Sequence, residues 1–171
     1  MEQVLALKPD MIFLWDEAWF AFARFSSVMR QRTAMYVAAK LHRKYKTKAY
    51  KEEYEKHISS LKKGEEPRMP DPAKVRIRVY ATQSTHKTLS SLRQGSMIHI
   101  WDEDFKRKSE AAFHEAYMTH TSTSANYQIL GSMDIGRRQV QFEGYELVEK
   151  AIELGMMLRR TIRENDKLRK W

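Results

Sequence analysis

The sequence contains no cysteine in its 171 residues, and only four prolines and six glycines. The lack of cysteine excludes a disulfide framework, a zinc–thiolate site and a thiol nucleophile. No apolar run approaches the roughly 20 residues that a membrane span requires, and residues 1–10 lack the basic start and long apolar stretch of a signal peptide. We therefore expect a cytoplasmic chain without a membrane segment, and its length fits a single domain.

Positive charge is in excess, and it is concentrated in two regions. The formal net charge is +9, and residues 40–78 contribute +7 of it, with 13 basic and 6 acidic residues. A second basic cluster closes the chain: Arg159, Arg160, Arg163, Lys167, Arg169 and Lys170. Because Tyr45, Tyr50 and Tyr54 are interleaved with lysines, the first region has two interpretations. It is either a nucleic-acid or acidic-partner surface, or a solvated helical face.

Predicted strands and helices alternate along the chain. Residues 11–16 form an apolar run that ends in an acid, which is typical of a buried strand. The alternation over 75–80 and the run over 96–101 predict two more strands. Helical spacing predicts helices over about 27–61, from 102 to 117, over 127–139 with an interruption near Gly136, and over 145–165. Strands interleaved with helices indicate an α/β domain.

Three polar segments carry residues with chemical potential. Residues 82–87 (Thr-Gln-Ser-Thr-His-Lys) follow a predicted strand; hydroxyls there can bind phosphate oxygens and a lysine amine can attack a carbonyl, or the segment is a solvated turn that caps the next helix. Asp16 stands at the carboxyl end of the first strand, where ligands bind in open α/β sheets, or it caps the following helix. Residues 120–124 (His-Thr-Ser-Thr-Ser) form a polar loop or an anion site.

Taken together and in this order, the three segments resemble the major domain of the bacterial ornithine/lysine/arginine decarboxylases. These are pyridoxal-phosphate enzymes of the aspartate-aminotransferase fold type. The resemblance rests on residues 16–19 (Asp-Glu-Ala-Trp), 81–89 (Ala-Thr-Gln-Ser-Thr-His-Lys-Thr-Leu) and 120–127 (His-Thr-Ser-Thr-Ser-Ala-Asn-Tyr). Supporting stretches are Arg30–Met35, Gln94–His99 and Phe113–Met118. It covers most of the chain outside about residues 40–74.

The resemblance implies a cofactor, pyridoxal 5'-phosphate, and a role for each of seven residues, with no metal. Lys87 would be the Schiff-base lysine, and Asp16 would pair with the pyridinium nitrogen. Ala18 and Trp19 would lie against the ring, and Ser84 and His86 would contact the phosphate. Ser122 would reach the phosphate of the neighbouring subunit, so the resemblance also implies a homodimer or higher homo-oligomer.

The chain also departs from the family pattern. Asp16 and Lys87 are 71 residues apart, more than the family leads us to expect, so we interpret residues of about 40–74 as a basic helical insertion. Ala125 replaces the proline usual in the loop. Residues 1–171 are interpreted as the C-terminal part of a fold type I large domain, with a mixed sheet and flanking helices. We expect this part alone to be inactive.

The resemblance predicts a decarboxylase of lysine, arginine or ornithine. The alternative is a non-catalytic basic module that binds nucleic acid or an acidic partner through residues 40–74. A third interpretation is an oligomerisation remnant that self-associates through exposed core surface. We do not expect nucleic acid to be the partner, because a run of charge is most often a solvated face.

Overall fold

A three-stranded sheet in the order β1-β2-β3 organises the fold in the computed structural model, which describes residues 1–168. β1 (Ile12–Asp16) runs parallel to β2 (Arg78–Ser84), and β2 runs antiparallel to β3 (Ser96–Asp102). The α/β class is therefore confirmed, with a mixed sheet and helices around it. Arg169 and Lys170 of the terminal basic cluster lie outside the described residues.

The helices connect and cover these strands. They are α1 (Glu2–Leu7), α2 (Ala34–Lys46), α3 (Lys48–Ser60), α4 (Thr85–Thr88), α5 (Glu110–His120) and α6 (Tyr127–Glu164). Two 3-10 turns, Ala21–Phe25 and Met29–Arg32, lie between β1 and α2, and a π turn, Phe105–Ser109, precedes α5. The short α1 was not predicted.

The hydrophobic core lies where α1 and α2 pack on one face of β2. Ile77, Val79 and Ala81 are almost fully buried, as expected for alternate positions on one face of a strand, and they join Leu5 and Leu41. The period of two predicted for this strand is confirmed on that face.

The opposite face of β2 departs from the prediction at one position. Arg78, expected to be solvated, is buried because its guanidinium forms a two-point ion pair with Asp102 on β3, at 2.9 and 3.1 Å. Tyr80 donates a hydrogen bond to the same carboxylate at 2.6 Å. A charged residue is buried here because an acid on the neighbouring strand neutralises it.

β1 is an edge strand, so the prediction of a buried strand is wrong. Four of its five residues are exposed, including Leu14 and Trp15. Among the described residues, β1 pairs with β2 alone. Its apolar sequence is typical of a strand with neighbours on both sides.

The basic segment folds as two consecutive helices, α2 and α3, within the region where helical spacing predicted helices, although the residues just before Ala34 form a 3-10 turn instead. The chain breaks at Thr47, whose hydroxyl accepts a hydrogen bond from the backbone N–H of Tyr50 at 3.2 Å and so caps α3. Tyr45 and Tyr50 are buried in the core with ring centroids 4.8 Å apart. Since buried rings cannot stack on bases, these two of the three interleaved tyrosines do not support the nucleic-acid interpretation, and Tyr54 is half-buried. That the segment is an insertion relative to the family stays a prediction.

α6 is one continuous helix of 38 residues, so the predicted interruption near Gly136 is wrong. The side chain of Asn126 begins the helix by accepting the backbone N–H groups of Gln128 and Ile129, each at 3.1 Å. Gly136 is buried because the Ser90 carbonyl group packs directly on the helix there. Although α6 is long, no helix in residues 1–168 is apolar enough over the required length to cross a membrane.

Candidate functional site

The carboxyl ends of β1 and β2 meet at one edge of the sheet because the two strands are parallel. Asp16 is in register with Thr82. The residues after β1 continue alongside β2: the backbone N–H of Glu17 donates to Thr82 at 2.9 Å, and that of Ser84 donates to Ala18 at 3.4 Å. The strand pairing therefore brings two of the three polar segments together, although 71 residues separate Asp16 from Lys87.

Lys87 and Trp19 make one of the side-chain contacts between these two segments. The Lys87 Nζ lies 5.0 Å from the centroid of the Trp19 ring, within the range of a cation–π interaction. Lys87 is exposed on the short α4, and 68% of the Trp19 surface is exposed. An accessible amine beside an exposed aromatic face is thus present at this edge.

The backbone carbonyl of Gly95 holds the turn between β2 and α4. It accepts the backbone N–H of Thr85 at 3.1 Å and lies 2.8 Å from His86 Nδ1. Because a carbonyl oxygen can only accept, Nδ1 carries the proton and Nε2 is left for another partner. A Cβ at Gly95 would meet the Thr85 hydroxyl, so this close approach requires glycine.

Ser84 and Asp16 retain polar atoms without a protein partner. The Ser84 residue is only 9% exposed, and its hydroxyl makes no hydrogen bond to the described residues. One Asp16 oxygen accepts the backbone N–H of Ala18 at 3.0 Å, so the carboxylate caps its own turn and no helix. The second oxygen of the exposed Asp16 carboxylate makes no hydrogen bond within residues 1–168.

Ser122 is not joined to this group within the described residues. It lies in the loop between α5 and α6, and its hydroxyl exchanges hydrogen bonds only with the backbone of Ser124, at 3.1 and 3.2 Å. Its suggested role in a neighbouring subunit stays a prediction. Within residues 1–168, no three His, Asp or Glu side chains come together in a way that could hold a metal ion.

Glu17 is a buried carboxylate that the sequence analysis overlooked. Its Oε1 accepts the backbone N–H of Ala34 at 2.6 Å, and its Oε2 accepts the Gln83 side-chain N–H at 2.8 Å. The Gln83 oxygen in turn lies 3.2 Å from His99 Nε2. The available signal was its place one residue beyond Asp16, where the alternation of side chains sends it to the other face.

Comparison with known proteins gives a consistent set of similarities. The sequence model of a family described as "Orn/Lys/Arg decarboxylase, major domain" matches residues 52–170. The chain is 36% identical over 85 residues to a lysine decarboxylase of Pseudomonas aeruginosa, covering 49% of this chain and 11% of that protein. It is 26% identical over 155 residues to the biodegradative arginine decarboxylase of Escherichia coli, covering 88% of this chain and 16% of that protein.

A solved structure is also similar to this chain. It is a crystal structure of the lysine decarboxylase LdcF of Francisella novicida, with a TM-score of 0.58 and 28% sequence identity. The similarity covers 92% of this chain and 16% of that one. The chain therefore spans between about a tenth and a sixth of the length of these relatives.

Proposed function

Because the chain belongs to the ornithine/lysine/arginine decarboxylase family, we propose that it is part of the cofactor-binding major domain of a decarboxylase that acts on a basic amino acid. The cofactor of this enzyme is pyridoxal 5'-phosphate, the domain has fold type I, and the site of action is the cytoplasm. The observation that carries the proposal is the arrangement at the carboxyl ends of β1 and β2. There, an accessible lysine amine, an aromatic ring, a carboxylate and a hydroxyl lie on adjacent segments.

The unpartnered polar atoms at this edge fit the chemical groups of the cofactor. Lys87 would take the aldehyde, and Asp16 would hold the proton on the pyridine nitrogen with the oxygen that has no partner within residues 1–168. Ala18 and Trp19 would lie against the ring. When bound, the cofactor supplies an electron sink for the carbanion that remains after CO2 leaves.

Ser84 and His86 would bind the phosphate. The Ser84 hydroxyl has no hydrogen-bond partner among the described residues, so it is available to an incoming oxyanion. The hydrogen bond from His86 Nδ1 to Gly95 fixes the imidazole, which leaves Nε2 as the atom that can donate once the ring is protonated. The backbone of Ser84 is fixed in β2 and the imidazole of His86 by its hydrogen bond, so both residues are positioned before any ligand arrives.

Residues outside this chain would complete the enzyme. Since the chain spans 11% to 16% of its relatives, we propose that residues 1–171 do not decarboxylate alone and that the active unit is a homodimer. In that dimer Ser122 would reach the phosphate of the neighbouring subunit. The proposal includes lysine, arginine and ornithine as substrates, because the relatives include decarboxylases of all three.

Reductive trapping tests the role of Lys87. The full chain is incubated with pyridoxal phosphate, reduced with borohydride and digested, and the phosphopyridoxyl label on each lysine is measured by mass spectrometry. We expect the label to be concentrated on Lys87, because the other groups at this edge orient the aldehyde toward it. Lys87→Ala should remove this label, while the matched exposed-lysine variant Lys63→Ala should leave it unchanged. Labelling spread evenly over the surface lysines would contradict the proposal.

A further inference from the structure

A cavity of about 490 Å³ lies between the sheet, the first 3-10 turn and α6. Gln83 and Thr85 line it, whereas the six residues of the proposed cofactor site do not: Asp16, Ala18, Trp19, Ser84, His86 and Lys87. Side chains at alternate positions leave a strand on opposite faces, so the cavity is separate from that site. Its size is within the range of sites for small organic molecules.

The cavity contains a buried carboxylate that forms no ion pair within residues 1–168, although Arg24, Arg137 and His99 also line the cavity. Glu17 is 5% exposed and lines the cavity, and its hydrogen bonds come from two neutral donors, the Ala34 backbone and the Gln83 amide. No Lys, Arg or His nitrogen within residues 1–168 forms a salt bridge with it. Ala34 is the first residue of α2, so the N-terminus of that helix partly stabilises the charge. Burial of a carboxylate without a full counter-charge remains costly.

Most of the remaining wall of the cavity is apolar and adaptable, although polar residues such as Thr33, Ser91 and His99 also line it. Three methionines contribute to it, Met35, Met97 and Met133, whose flexible side chains adjust to ligands of different shape. Phe25 and Val140 add rigid apolar surface. This wall suits a hydrocarbon chain.

Three exposed charged residues also line the cavity. Arg137 binds Asp134 at 2.9 Å, so these two charges are paired with each other. The third, Arg24, is exposed to solvent. Glu17 is the buried carboxylate of this lining.

We propose that this cavity binds a small organic cation, namely a primary ammonium on an apolar chain. The ammonium would donate hydrogen bonds to the free lone pairs of Glu17, and the chain would lie against the methionines. Charge-assisted hydrogen bonds to a buried carboxylate favour a cation over a neutral ligand of the same shape and disfavour an anion. Diamines formed by loss of CO2 from basic amino acids belong to this class, but the proposal depends on Glu17 and the cavity alone.

Three ligands of equal chain length test the proposal by calorimetric titration of the full chain: hexylammonium, hexanol and hexanoate. We expect hexylammonium to bind at least tenfold more tightly than hexanol, and hexanoate to bind more weakly than either. Glu17→Gln keeps the shape and an acceptor but removes the charge, so it should weaken hexylammonium binding about tenfold and leave hexanol binding unchanged.

Control variants separate this site from its surroundings. Glu110→Gln removes a carboxylate that does not line the cavity, and Lys87→Ala removes the proposed cofactor lysine, which also lies outside its lining; both should leave hexylammonium binding unchanged, so failure of the cofactor proposal does not affect this result. Val140→Phe adds bulk to the cavity wall from α6 and should weaken the binding of all three ligands. Circular dichroism shows whether each variant is folded. If Glu17→Gln does not fold, ligand binding by Val140→Phe tests the cavity instead. Equal affinity for hexylammonium and hexanol, or full binding by Val140→Phe, would overturn the proposal.

Discussion

Residues 1–104 and residues 105–168 differ sharply in what they bury. The buried hydrophobic residues of the described chain all lie in the first region, from Leu5 to Ala81. In the second region the buried residues are Gly136 and Gly144. A shortage of apolar residues in the second region does not explain this difference. The large apolar residues that α6 alone exposes are Tyr127, Leu130, Ile135, Phe142, Tyr145, Leu147, Leu154, Met156, Met157, Leu158 and Ile162.

The difference shows that long-range strand pairing, more than apolar content, decides burial in this chain. β2 occupies the middle of the sheet and carries α1 and α2 on one face, so its alternate residues are enclosed on all sides. α6 contacts the first region chiefly through the turn Ala21–Phe25 and the residues near Ser90. Its other faces have no cover among the described residues, so truncations there should cost little.

The largest contrast is expected between Ile77 and Leu158. Ile77→Ala removes a fully buried side chain and leaves a cavity in the core, so we expect the free energy of unfolding to fall by about 4 kcal/mol. Leu158→Ala, at a residue that is 61% exposed, should change it by less than about 0.5 kcal/mol. Urea denaturation followed by circular dichroism measures both. Similar losses in the two variants would mean that α6 is covered in solution.

A second contrast concerns charge within the first region. Asp102→Asn leaves the buried Arg78 without its counter-ion, so we expect a loss of about 3 kcal/mol in the free energy of unfolding. The matched variant Asp134→Asn breaks an exposed ion pair on α6 and should cost less than about 1 kcal/mol. The same denaturation experiment at neutral pH compares them.

The Asp102 pair also predicts a dependence on pH. Burial acts to raise the pKa of Asp102, but hydrogen bonds from Arg78 and Tyr80 outweigh it and hold the pKa below its ordinary value. The folded state therefore binds this proton less tightly than the unfolded state. The resulting stabilisation is present above the ordinary pKa and is lost as the pH falls through the lowered one. Between about pH 5 and pH 3 the wild-type chain should lose more stability than Asp102→Asn. Parallel pH profiles of the two would contradict this.

The sequence predicted those parts of the fold that depend on local pattern. The positions of the three strands and the α/β class follow from short apolar runs and alternation. The burial of Arg78 could not be predicted, because it depends on a carboxylate 24 residues away on a neighbouring strand. Nor could the exposure of Leu14, because an apolar strand has the same sequence whether or not a neighbour lies beside it.

The candidate site was predictable from motif, whereas its neighbours were not. The resemblance pointed to the segments after β1 and β2, and the parallel register explains why residues so far apart in sequence lie close together. The Gly95 carbonyl that holds His86, and the cavity beside Glu17, depend on tertiary contacts that carry no local signature. The cofactor-binding roles of Asp16, Ser84, His86 and Lys87 stay predictions, and the trapping experiment tests that of Lys87.

A further contrast, between two glycines of the same helix, tests where the two regions touch. A Cβ at Gly136 would collide with the Ser90 carbonyl group, whereas one at Gly131 would meet no atom within 4 Å. We expect Gly136→Ala to lower the free energy of unfolding by about 2 kcal/mol, because helix and loop must move apart. Gly131→Ala should raise it by up to about 1 kcal/mol, because alanine is the better helix former. Both are measured by urea denaturation. If both variants are stabilised, α6 does not rest on the Ser90 loop, and residues 105–168 would be still more independent of the core than the structure shows.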